Sequence, residues 1–217
     1  MSARGPIVAI DGPAGSGKTT LARGLAAELG LPYVNTGIMY RAVTNAALEK
    51  MVDPDDGPAL ARLAADLKFA LSDGAPPALL VDGALPGPEL TSEDVEAVVS
   101  RVSRHPEVRK LMAAEQRRLG RDGAVMEGRD IGTVIFPDAD LKVFLVATPS
   151  ERAARRAEER GGEEELTAGM ASRDAQDARV NPFVPAPDAL ELNTTGKTPE
   201  EVLAGVLAAL RERLGSR

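Results

Sequence analysis

Lys18 and Thr19 follow a glycine-rich run, Gly12-Pro-Ala-Gly-Ser-Gly17, which itself follows an apolar stretch ending at Asp11. Gly-x4-Gly-Lys-Thr is a spacing suited to holding phosphate. Glycines admit backbone angles that a Cβ forbids, so successive N–H groups can converge on one anion. A helix opening at Lys18 adds the positive end of its dipole at the same point. Read this way, Gly12, Pro13, Ala14, Gly15, Ser16, Gly17, Lys18, Thr19 and Thr20 cradle a nucleoside triphosphate. Lys18 reaches its β and γ phosphates, and the Thr19 hydroxyl faces Mg²⁺. Asp11 and Glu127 each end a predicted strand near the loop, where either holds that ion through water or forms a structural ion pair.

A phosphate loop alone does not separate a kinase from a switch or a motor. A second set of cations bears on that question. Arg41 lies in Asn35-Thr-Gly-Ile-Met-Tyr-Arg, Arg129 in Val125-Met-Glu-Gly-Arg-Asp-Ile-Gly-Thr-Val-Ile-Phe-Pro-Asp138, and Arg173 in Arg173-Asp-Ala-Gln-Asp-Ala-Arg179. The first two stretches leave the carboxyl ends of predicted strands, where ligands of open α/β sheets bind. Arginines converging there can fork onto a phosphate outside the loop. Two facing phosphate sites imply transfer between them. Ser150 to Arg160 carries four more arginines, with Arg152, Arg156 and Arg160 at i, i+4 spacing, followed by Gly161-Gly162. They form either a mobile lid over a transferring phosphoryl group or a solvated helix with a Glu151–Arg155 surface pair.

The elements that must position these groups show in the apolar pattern. Five short runs read as buried parallel strands: Ile7–Ile10, Pro32–Asn35, Ala124–Met126, Leu141–Ala147 and Ala189–Leu192. Leu21, Leu25 and Leu29 mark a helix closed by Gly30, and Val108, Leu111, Met112 and Leu119 mark another ending near Gly120. Thr148-Pro-Ser-Glu151 and Thr198-Pro-Glu-Glu201 both match a capping box with Pro at the first helical position. Between 67 and 90 the alternation breaks. Leu67–Leu71, Ala78–Val81 and Ala84–Leu85 are short and apolar, and Asp82-Gly83 is a hairpin signal. This region reads as a small antiparallel insert on an α/β core.

Composition narrows the classes. The 217 residues suffice for one domain with a full core, and 43% hydrophobic with 27% charged content is ordinary for a globular chain. A net charge of −7 argues against a general nucleic-acid binder. With no cysteine, disulfides and thiolate sites are excluded, and the single histidine, His105, expected in a surface loop, precludes a multi-histidine metal site. No run of 18 apolar residues or signal-peptide core is present, so the protein is expected in the cytoplasm, off the membrane, and as a monomer.

The stretches "IDGPAGSGKTT", "NTGIMYRA", "SRHPEVR" and "EGRDIGTVIFPDADLKVFL", in this order, resemble the bacterial cytidylate kinases over most of the chain. The resemblance implies a P-loop kinase fold: a five-stranded parallel sheet with helices on both faces, a small antiparallel β insert at 67–90 and an arginine-rich helical lid at 150–165. It implies transfer of the γ-phosphoryl group of ATP, with Mg²⁺, to the small molecules CMP and dCMP. Carried over by position, Thr36 and Arg41 hold the acceptor nucleotide, and Ser100, Arg109 and Asp130 face cytosine. Arg129 and Arg173 bind phosphate, and Asp177 binds the sugar. Lys18, Arg129, Arg152 and Arg156 are the expected catalytic cations. Tyr40 packs against the acceptor base or fills core. Three positions depart from the family pattern. Asn35 stands where aspartate is usual, Glu89-Leu-Thr-Ser92 lacks an arginine, and Arg179 follows Asp177 by two residues instead of three. Competing readings are a kinase for UMP, AMP or shikimate, and a nucleotide-dependent switch.

Overall fold

The computed structural model describes residues 4–160 and 184–215, with no side-chain description for Arg156 and residues 158–160. The expectations for Arg156, Arg173, Asp177, Arg179 and the far end of the lid therefore lie outside the described residues.

Strand β1 (Ile7–Asp11) occupies the centre of a five-stranded sheet in the order β2-β5-β1-β6-β7, formed with β2 (Tyr33–Asn35), β5 (Ala124–Gly128), β6 (Leu141–Val146) and β7 (Leu190–Asn193). Every pairing is parallel. All five apolar runs are strands, each within a residue or two of its expected bounds. The alternation along β1 divides the core. Ile7 and Ala9 face one apolar layer, which holds α2 (Thr36–Glu49), α3 (Gly57–Asp66) and α5 (Pro106–Gly120). Val8 and Ile10 face the other, which holds α1 (Lys18–Leu29) and α7 (Pro199–Gly215). Strands buried on both faces need near-continuous apolar sequence, which is why they were readable.

Helix ends follow local chemistry. Gly30 closes α1 in the left-handed region at φ 63°. The Asn35 side chain caps α2 by accepting from the Ile38 N–H, and Ser92 caps α4 (Glu93–Ser103) by accepting from Val95. The two expected capping boxes differ. Thr198 and Glu201 bond reciprocally, at 2.9 and 3.3 Å. At α6 (Pro149–Arg160) only half the box forms. Thr148 accepts from the Glu151 N–H at 3.4 Å, but the Glu151 carboxylate turns to Gly196 N and Arg155.

The insert is a two-stranded antiparallel ribbon, β3 (Phe69–Leu71) against β4 (Leu79–Val81). Asp82-Gly83 does turn tightly, with φ of 49° and 83°. Its far arm is a single bridge from Val81 to Ala84, and Leu85 is exposed. A third strand at Ala84–Leu85 is therefore not formed. Phe69 and Leu79 are buried in the core layer beside α5, so the pairing is set by tertiary packing rather than by the turn. Tyr33 N donates to Pro77 O at 3.0 Å and hangs the ribbon on the β2 edge.

Candidate active site

The carboxyl ends of β1, β2 and β5 open on one cavity of about 560 Å³. Its lower rim is the phosphate loop. Gly12 has φ 147°, and a Cβ there would lie 2.4 Å from the Leu145 carbonyl. Gly15 has φ 72°, and a Cβ would lie 2.6 Å from the Arg152 carbonyl oxygen, because α6 packs directly on the loop. Both positions therefore require glycine. Lys18 Nζ donates to Pro13 O at 2.7 Å, folding the side chain over its own loop. Ala14, Gly15, Gly17, Lys18, Thr19 and Thr20 line the cavity, with Gly12, Pro13 and Ser16 behind them.

The opposite wall comes from four separate elements: α2, α4, α5 and the segment that leaves β5. It brings Thr36, Tyr40, Arg41, Ser100, Arg109, Arg129 and Asp130 into the same cavity as Lys18. Arg109 Nη2 meets Asp130 Oδ2 at 2.5 Å, giving a fixed donor beside a fixed acceptor. Arg41 Nη2 meets Glu96 Oε1 at 2.5 Å, both side chains little exposed. Arg129 Nη1 donates to Gly12 O at 3.1 Å and so bridges the two walls. Burial pushes the Tyr40 phenol up to about 12.

Two carboxylates join the walls. Asp11 accepts from the N–H groups of Ile131 and Gly132, each at 2.8 Å, and so holds the wide helical turn Ile131–Ile135 that follows Asp130. Burial pushes its carboxyl up to about 6, and the Asp130 charge adds to this. The two backbone bonds and Lys18 pull the other way. Glu127 is 3% exposed and sits opposite Asn35 in the β2–β5 register. It accepts from Thr19 Oγ1 at 3.1 Å and from the Tyr33 hydroxyl, while Thr36 Oγ1 donates to its carbonyl at 2.8 Å. Burial, reinforced by the Glu127 charge, pushes the Tyr33 phenol well above its usual range.

On α6, Arg152 Nη1 donates to Ala14 O at 3.0 Å. Arg155 pairs with Glu151 as the spacing predicts. It also donates to Thr194 Oγ1 at 2.9 Å, and Thr194 in turn donates to Ser16 O at 3.2 Å. The pair is thus part of the packing behind the phosphate loop and not merely a solvated couple. His105 is half-buried, its Nε2 2.9 Å from Pro54 O and its ring against Gly57.

Tyr33, Glu96 and Arg23 were not singled out from sequence. Two signals existed. Tyr33 and Asn35 share a strand face at period two, and Glu96 and Ser100 share a helix face at i, i+4. Neither spacing tells what stands opposite.

The geometry can be compared with known proteins. The family described as cytidylate kinase matches residues 8–212. A "bifunctional pantoate ligase/cytidylate kinase" from Synechococcus sp. (strain CC9902) is 45% identical over 226 residues, covering 99% of this chain and 47% of that protein. One of the same description from Gloeobacter violaceus is 43% identical, covering 98% of this chain and 44% of that protein. The chain thus spans about half the length of these curated relatives. Among solved structures, an uncharacterized protein from Eubacterium ventriosum superposes with a TM-score of 0.51 at 12% identity, covering 94% of this chain and 98% of that one. That likeness concerns the fold alone.

Proposed function

The chain belongs to the cytidylate kinase family, and from that premise we propose that it transfers the γ-phosphoryl group of ATP to CMP and dCMP, giving CDP and dCDP. The observation that carries this reading is the single cavity in which Lys18 faces Arg41, Arg109, Arg129 and Asp130. A switch that only bound and hydrolysed one nucleotide would have no use for the second wall.

In this reading the phosphate loop seats the ATP triphosphate. An oxygen of the acceptor phosphate attacks the γ-phosphorus in line as the bond to the β-phosphate oxygen breaks, leaving ADP. Lys18 and Arg129 absorb the charge spread over the transferring group, and Arg152 and Arg156 reinforce them from α6. Arg41, together with Thr36 and Arg173, grips the acceptor phosphate, and Asp177 takes the sugar. Cytosine presents an amine and two acceptors. Asp130 and the Ser100 hydroxyl accept from the amine, and Arg109 donates to N3 and O2, with Tyr40 packed on the ring. Uracil reverses the polarity at N3 and C4, leaving buried groups unpaired at a cost of several kcal/mol, roughly. Excluding water prevents wasteful hydrolysis, which calls for closure of the arginine-rich lid expected at 150–165 once both nucleotides are bound.

Mg²⁺ prefers oxygen ligands, few of them from protein. The Thr19 hydroxyl and the Glu127 carboxylate, 3.1 Å apart at the cavity wall, fit that demand. Among the described residues no cluster of three or more acidic or histidine side chains offers a competing cage. Thr19 would hold the ion directly and Glu127 through water, and the bound ion would withdraw charge from the β and γ phosphates. The reading requires neither nucleic acid nor membrane and places a monomer in the cytoplasm. None of the described helices is long and apolar enough to cross a bilayer.

A coupled assay offering CMP, dCMP, UMP and AMP in parallel tests it. Turnover is expected with the two cytidylates and at least ~100-fold less kcat/KM with UMP. Preference for UMP or AMP would overturn the base assignment, and no turnover with any monophosphate would favour the switch.

A further inference from the structure

Tyr33 and Asn35 have no part in the transfer described above, yet Tyr33 donates to the Glu127 carboxylate and Asn35 donates to Tyr33. The direction of each hydrogen bond can be worked out from which group has a proton to give. Asn35 Oδ1 accepts the Ile38 N–H at 3.2 Å as the cap of α2. That contact fixes which way the amide faces, so its nitrogen points to the Tyr33 hydroxyl, 3.3 Å away. A phenol has one proton. With its oxygen receiving from Asn35, Tyr33 gives that proton to Glu127 Oε1 in a short contact. The other carboxylate oxygen, Oε2, receives from Thr19 Oγ1 at 3.1 Å. The Arg23 guanidinium covers the Tyr33 ring, 5.7 Å from its centroid. Each group is thereby used in one direction only.

The same accounting distinguishes asparagine from aspartate at position 35. An aspartate would cap α2 equally well. It has no proton to donate to Tyr33, so it would compete with Glu127 for the single phenolic proton. It would also set a second negative charge beside a carboxylate that is almost fully buried.

We infer that Asn35 and Tyr33 are positioning residues, a one-way relay from Asn35 through Tyr33 to Glu127 that locks the carboxylate against Thr19 and so prepares the loop for Mg²⁺-bound ATP. This rests on the role given above to Thr19 and Glu127. The relay's proton donors end on the triphosphate side. Its ties to the acceptor side are the Asn35 cap of α2, which Asn35→Asp preserves, and the Thr36 bond to the Glu127 backbone carbonyl, which the side-chain changes leave in place. Arg41, Arg109 and Asp130 do not touch it.

The test is calorimetric titration of ATP into the full chain with and without Mg²⁺, alongside CMP titration without ATP. In the unaltered protein Mg²⁺ is expected to tighten ATP binding. Tyr33→Phe and Asn35→Asp should each cut that tightening by about 10-fold, the scale of lost support behind a metal ligand. Both should leave CMP affinity within about 2-fold. Asn35→Ser keeps an oxygen for the cap, adds no charge and loses the amide donor, so it should show a smaller loss in the same direction. The double variant Tyr33→Phe/Asn35→Ser should be no worse than Tyr33→Phe, because both changes break one chain of bonds and neither adds a charge. The relay is overturned if Tyr33→Phe leaves the Mg²⁺ effect intact, if the two losses add in full, or if Asn35→Ser behaves as the unaltered protein while Asn35→Asp does not. Should Asn35→Asp fail to fold in a thermal melt, Tyr33→Phe and Asn35→Ser carry the test. If the unaltered protein shows no Mg²⁺-linked tightening, the assignment of Thr19 and Glu127 fails and the relay with it. Tightening that persists unchanged in the variants removes the relay alone.

Discussion

The two ends of the cavity are held by different means. At the phosphate loop the shape lies in the backbone, in Gly12 and Gly15 at angles and spacings that exclude a Cβ, with a contiguous run of sequence supplying the surface. At the opposite end it lies in side chains from four elements, locked by ion pairs between Arg41 and Glu96 and between Arg109 and Asp130. A backbone site responds to steric change and little to charge. A site of paired side chains responds to the loss of one partner, because the survivor stays in a half-dry environment. The first suits an anion common to many nucleotides, the second a particular base.

The sharpest way to break this contrast is Gly12→Ala. The added carbon would meet the Leu145 carbonyl at 2.4 Å, so the loop must move. Displacement of about 1 Å at a reacting centre costs about 100-fold. A loss of at least that size in kcat/KM for ATP is expected by steady-state kinetics, with the CMP dissociation constant unaltered.

The joint between the ends is Asp11, and pH probes it. Its folded value, about 6, lies above the ordinary 3.8. The neutral form is therefore favoured in the fold. Its contribution to stability is full below pH 3.8 and is lost as pH rises through 6. The shift corresponds to about 3 kcal/mol. Urea unfolding at pH 4 and pH 7.5 should show the unaltered protein losing most of that amount relative to Asp11→Asn over the interval. Parallel pH profiles for the two would refute it.

The smallest effect separates the ends by substrate. Asp130→Asn leaves Arg109 without its charged partner and weakens the acceptor for the cytosine amine. A charge-assisted bond of this kind contributes about 1.5 kcal/mol or more, so kcat/KM for CMP should fall about 10-fold while KM for ATP holds. An equal rise in both KM values would mean that the ends are not separable.

The contrast also explains what could be read from sequence. The loop, the five strands and both helix stops at Gly30 and Gly120 are local, written in spacing over a dozen residues. The ends of the ion pairs are not. Glu127 meets Tyr33 and Asn35 only because β2 lies beside β5 in the register that sets Asn35 opposite Glu127. Nothing in either segment announces that pairing. Asp82-Gly83 was legible as a turn, yet the strand facing Val81 is Phe69, which packs there through the apolar layer under α5. Glu151 matched a capping box, but a vacant N–H on Gly196, from the loop after the last strand, draws its carboxylate away.

The central strand has a consequence for how the molecule is made. Its neighbours on both sides are encoded far downstream: Ile7 lies against Ala124 and Val8 against Leu141. Arg129 ties to the carbonyl of Gly12 across 117 positions. During synthesis the phosphate-gripping stretch precedes the wall it faces, which is complete only once Arg129 and Asp130 follow the fifth strand. Contacts closed over so long a span form slowly. The pocket is therefore complete only well after its most recognisable residues have been made.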